Sequence, residues 1–165
     1  LVEQFVRRNA YSPTLQTELV ERLRDIAPRR GCAALLETAM MAGNELEARF
    51  MVNALRLLAH YLPEQDRGGE FRPYGSLPVY ITPRRELVLP LPLDHLSWTP
   101  QIAAAFDRPG VAAHAHRTLL SGGAISLNGQ RALTERGWSL VPHLPFPGAP
   151  PYPVSPAAPA GMAPR

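Results

Sequence analysis

Among the side chains able to bind a metal or move a proton, His114-Ala115-His116 has the most suggestive spacing. Residues two apart on a β-strand point to the same side, so both imidazoles would share one face. With His95 or Asp94 from another element they could complete the three protein ligands of an open zinc site. An isolated HxH lacks the spacing information of an established zinc motif. The competing reading places one imidazole in solvent and pairs the other with a carboxylate. On that balance no metal and no cofactor are assigned.

Other stretches also carry reactive residue types. Asp94-His95-Leu96-Ser97-Trp98 holds the acid, base and nucleophile of a hydrolase relay in five positions. Relays are assembled from distant segments, however, and no G-x-S-x-G elbow occurs in the chain. No catalytic residue is assigned. Ser121-Gly122-Gly123, just before a helix start, could offer backbone N–H groups to an anion, which makes Gly122 and Gly123 a candidate site for a phosphorylated ligand. Neither the G-x-G-x-x-G nor the P-loop pattern is present, and a plain tight turn also explains the glycines. Cys32 follows Arg29 and Arg30, which would favour a thiolate at an exposed helix start. A small buried hydrophobe is the reading adopted. The pairs Arg7-Arg8, Arg29-Arg30 and Arg84-Arg85 fall on separate elements and are read as solvated faces.

Whatever the site, it must be positioned by a core. The chain has 165 residues, of which 45% are hydrophobic, enough for one domain with a tail and too few for two domains of ordinary size. No run approaches the roughly 20 apolar residues of a membrane span. All 17 cationic side chains are arginine, which with 19 prolines is the bias of a GC-rich, bacterial genome. A net charge of +3 is too modest to imply a nucleic-acid partner. One cysteine excludes an internal disulfide and leaves the compartment open between the periplasm or envelope and the cytoplasm. The chain opens at Leu1 inside a helical pattern, so a preceding segment is expected.

The organising element is the stretch from Asn44 to Leu62. Leu46, Phe50, Ala54, Leu57, Leu58 and Tyr61 recur every three or four residues, and Asn44 with Glu47 makes a capping box. Ser12-Pro13 starts an earlier helix that runs to about Ala27, and residues 30–42 are apolar nearly all round, as in a helix buried on every side. Residues 64–76 read as an exposed connection. Leu77, Val79, Ile81 and then Leu87, Leu89, Leu91 alternate around Thr82-Pro83-Arg84-Arg85, the pattern of a β-hairpin. Pro78, Pro90 and Pro92 cannot donate to a ladder and are expected at a sheet edge. Thr99-Pro100 opens a short helix. A strand over 114–120, a helix from Ser126 with Leu127, Ala132 and Leu133 inward, and a strand over 138–141 make a small βαβ unit.

These elements predict an α+β domain over residues 1–141. A helical layer (1–62) packs on a small mixed sheet (77–141), with Trp98 and Trp138 closing the interface, and a Pro/Ala-rich disordered tail follows over 142–165. Function follows by elimination: a non-enzymatic interaction or accessory domain of a larger bacterial protein, with the cell envelope as a fitting setting. Its partner would be another protein or the upstream region of the same polypeptide. The alternatives are a metal-dependent enzyme using His114 and His116, and a phosphorylated-ligand module at Gly122-Gly123.

Overall fold

The structure, a computed structural model, describes residues 1–145 and 148. Four helices come first: α1 (Val2–Val6), α2 (Pro13–Ile26), α3 (Cys32–Met40) and α4 (Glu45–Tyr61). A 3-10 turn at Glu64–Asp66 leads into β1 (Glu70–Tyr74), β2 (Leu77–Ile81), β3 (Leu87–Leu91) and β4 (His95–Leu96). Then follow α5 (Pro100–Phe106), α6 (Pro109–Ala112), β5 (Arg117–Ser121), β6 (Ala124–Ile125), α7 (Leu127–Glu135) and β7 (Trp138–Val141). The main sheet has the order β1-β2-β3-β5-β7. Its first three strands are antiparallel, and β3, β5 and β7 run parallel. This is the expected α+β fold, with the expected hairpin and βαβ unit. The tail expected over 142–165 lies, past residue 145 and apart from Gly148, outside the described residues. His143 and Leu144 donate backbone hydrogen bonds to Gly123 and Ser121, so ordered contacts continue beyond Val141.

Strand alternation sends side chains to both faces of the sheet, and each face is covered. Phe71, Tyr80, Val88 and Leu120 join the core made by α1–α4. Val79, Ile81, Leu87, Leu89, Leu91 and Leu119 join a second core with Phe106 of α5, Val111 of α6 and Leu133 of α7. Helices therefore lie on both sides. Trp138 belongs to the second core and Trp98 packs against it, so neither closes the α1–α4 interface as expected.

The helix starts follow from their caps. Ser12, Asn44, Thr99 and Ser126 each accept the backbone N–H three residues on. Glu47 reaches one residue further back than a standard capping box, accepting from the Gly43 N–H at 2.8 Å and from the Asn44 amide at 2.8 Å. Helix α4 buries Ala48, Met51, Val52, Asn53, Ala54, Leu55, Leu57 and Leu58, a broader face than the predicted stripe because α2 lies on one side and β3 on the other. Leu46 is half exposed, and Phe50 and Tyr61 are only half-buried.

Several other expectations need correcting. Residues 70–74 form edge strand β1 and not a loop; the buried Phe71 between the charged Glu70 and Arg72 is too little alternation to read. Helix α3 buries only Leu35, Thr38 and Ala39, and Cys32 is exposed, because α3 lies over the edge strand β1. Gly31, at φ +84°, starts α3 so close to β1 that an added Cβ would lie 2.1 Å from the Phe71 carbonyl oxygen. The strand expected over 114–120 is β5, which begins at Arg117 and not His114, since the short α6 and the turn after it occupy the chain just before it. Leu127, at the first turn of α7, points to solvent and is 80% exposed.

Candidate functional site

The N-terminal half of α4 lies by the carboxyl end of β3, and Tyr61 near its C-terminus lies by Glu86, just before β3; a cavity is found at each end of that strand. At the carboxyl end of β3 lies a groove of about 530 Å³. Its helical wall is Thr38, Met41, Ala42, Leu46, Glu47, Phe50 and Met51, and its strand wall is Ser76, Leu77, Pro92, Leu93 and Asp94. In open sheets with parallel strands, the carboxyl ends are the usual place for a ligand crevice.

The groove exists because β2 and β3 part company. They pair over only two rungs, Ile81 with Leu87 and Tyr80 with Val88. The Thr82 N–H donates to the Glu86 carbonyl, which makes Tyr80 and Val88 the next hydrogen-bonded pair and would make Pro78 and Pro90 the one after. Neither proline has an N–H, so neither bond of that pair can form. The strands diverge from this point and leave a wedge. The prolines were expected at a sheet edge, yet β3 is the central strand; they are tolerated because they face each other across a gap. Phe50, although carried on α4, packs against the core of the opposite face, as the opening allows.

At the amino ends of β5 and β7 lies a polar cleft of about 390 Å³, lined by Arg84, Glu86, Ala115, His116, Arg117, Thr118, Gly137 and Ser139. Its groups are largely spent on one another. Arg84 grips the buried Asp66 carboxylate with two hydrogen bonds, one of 2.7 Å from Nε, and this pairing raises the guanidinium above its ordinary range. The Thr118 hydroxyl donates to Glu86 at 2.5 Å. Arg117 donates to the Arg136 carbonyl and lies over the Trp138 ring, 5.8 Å from its centroid. Burial, then the charge of Glu86, holds the Tyr61 hydroxyl above its ordinary range, so it stays protonated. Nearby, the Tyr80 hydroxyl accepts from the Gly69 N–H and donates to the Asp66 carbonyl, tying the 66–69 turn to the sheet.

The reactive residues singled out in the sequence do not converge. His114 and His116 precede β5 and so lack the alternation that would align them. His95 sits in β4, past the carboxyl end of β3, whereas His116 lies at the amino end of β5. Among the described residues, no group of three His, Cys, Asp or Glu side chains is placed to hold a metal ion. No side-chain hydrogen bond joins Asp94, His95 and Ser97 there either. Around the Gly122-Gly123 turn, the Gly122 and Ala124 N–H groups donate to the Leu91 and Asp94 carbonyls. Gly123 answers to close packing, since an added Cβ would lie 1.9 Å from the Asp94 carbonyl oxygen. Of the arginine pairs, Arg7 bonds Glu3, Arg8 the Met40 carbonyl and Arg84 Asp66. No helix among the described residues is long and apolar enough to cross a membrane.

The groove itself is new relative to the sequence reading, which put Leu46 and Phe50 in the core. One signal could have found it: laying the 77–91 hairpin in register from its turn sets Pro78 opposite Pro90. No protein-family model, curated protein or solved structure matches this chain.

Proposed function

We propose that this chain is a non-enzymatic interaction domain that docks an apolar segment of a partner protein in the groove between α4 and the diverging ends of β2 and β3. The observation that carries this reading is the continuity of apolar surface from the groove to the outside. Met41 is 59% exposed and Leu46 50%, and both line the groove, so its apolar surface runs out past the mouth. A pocket for a small molecule ends at its rim, whereas a polypeptide covers the surface around a pocket as well as its interior. Methionine suits such a surface because its unbranched side chain adapts to what covers it. Removing apolar surface from water is worth about 25 cal/mol per Å², so covering these side chains favours docking. The polar cleft lacks such a surface, and its Arg84 and Glu86 are already engaged by Asp66 and Thr118.

Two exposed substitutions test the proposal. Met41→Glu and Leu46→Glu should leave thermal unfolding within about 2 °C of the parent, since surface changes stay within roughly 0.5 kcal/mol. Each should weaken binding of the neutral dye Nile red, followed by fluorescence, at least severalfold. Unchanged dye binding in both variants would contradict the assignment of the groove.

A further inference from the structure

The proposed docking groove has a charge character opposite to that of the chain. The protein carries 17 arginines and a net charge of +3, yet the charged side chains lining the groove are Glu47 and Asp94. None of the arginines among the described residues lines it; Arg8, held on the Met40 carbonyl, stands next to it and is directed at the backbone. The backbone adds to this bias. Proline offers only its carbonyl, so the pair Pro78 and Pro90 brings acceptors and no donors to the wedge. Asp94 is exposed at the groove, and its backbone carbonyl, not its carboxylate, holds the Ala124 N–H. Its charge is therefore available to a ligand.

Resting on the docking role proposed above, we infer that the segment this groove takes carries a cationic side chain, arginine or lysine, beside its apolar anchors. The apolar part fills the space against Phe50, Met51, Leu77 and Leu93. The cation meets Asp94 and Glu47 at the rim, where an anionic group would be repelled. Glu47 is partly engaged in holding the α4 N-terminus, so Asp94 carries the larger share of the recognition.

Three amphiphiles with the same alkyl chain separate the apolar from the charged contribution: octyltrimethylammonium, octanol and octyl sulfate, each titrated into the isotope-labelled full chain and followed by amide shifts of residues 41–51 and 93–94. The expected order is octyltrimethylammonium tightest and octyl sulfate weakest, with the cation favoured over octanol by about two- to tenfold, as one or two exposed ion pairs allow. Net charge alone would produce the reverse order, since a chain of +3 attracts the sulfate. Asp94→Asn should bring the cation and octanol to within about twofold of each other, and salt near 0.5 M should shrink the preference in the parent. Octanol binding as tightly as the cation, or octyl sulfate binding tightest, would overturn the inference while leaving the groove as a docking site. Failure of all three to shift the groove amides would overturn both.

Discussion

The two ends of α4 meet the same sheet with opposite chemistry. At its C-terminal end, Tyr61, Asp66, Arg84, Glu86 and Thr118 form a closed set in which nearly every donor has an acceptor. At its N-terminal end, Met41, Leu46, Phe50 and Leu77 face a gap that no side chain fills. A satisfied polar network offers a ligand little, because every new hydrogen bond must replace an existing one. Unfilled apolar surface offers a gain to whatever covers it. A cavity's residue types are thus a poor guide to its role until the partners of each group are counted: the polar cleft holds the histidine, the acid and the hydroxyls, and it is the groove that has something left to offer.

This contrast can be broken by mutation. The largest effect should come from the buried face of α4, on which both ends depend. Leu57 is fully buried there, and Leu57→Ala should cost roughly 2–5 kcal/mol, read from the midpoint of denaturant unfolding. A midpoint equal to the parent's would mean that α4 is not the common support. A smaller effect is expected at the polar end. Tyr80→Phe removes a buried hydroxyl that serves both the Gly69 N–H and the Asp66 carbonyl, and should cost about 1–3 kcal/mol. A neutral outcome would show that the 66–69 turn is anchored by something else. The groove variants Met41→Glu and Leu46→Glu stand at the small end of this series in stability and at the large end in binding, which is the separation the account requires.

Much of the fold was legible in the sequence because its signals are local. Ser12, Asn44, Thr99 and Ser126 announce helix starts through their own side chains, and Thr82-Pro83-Arg84-Arg85 announces a turn. Strand β1 was not legible, since its buried Phe71 stands between the charged Glu70 and Arg72 and the stretch resembles a loop. The exposure of Cys32 and Leu46 was hidden for another reason: helical period identifies an apolar face, but which part of that face meets a neighbour depends on tertiary packing. The candidate site lay outside the reach of motif reading altogether. His114, His116, His95, Gly122 and Gly123 drew attention by residue type, whereas the groove is made by two prolines whose effect depends on a cross-strand register.

The most direct test of the central claim is to map where an apolar ligand settles on the whole chain. Octanol added to the isotope-labelled protein should shift the backbone amides of residues 41–51, 76–77 and 93–94, and leave those of 84–86, 116–118 and 139 in place. Shifts concentrated around Glu86, His116 and Thr118, or no localised shifts at all, would contradict the account.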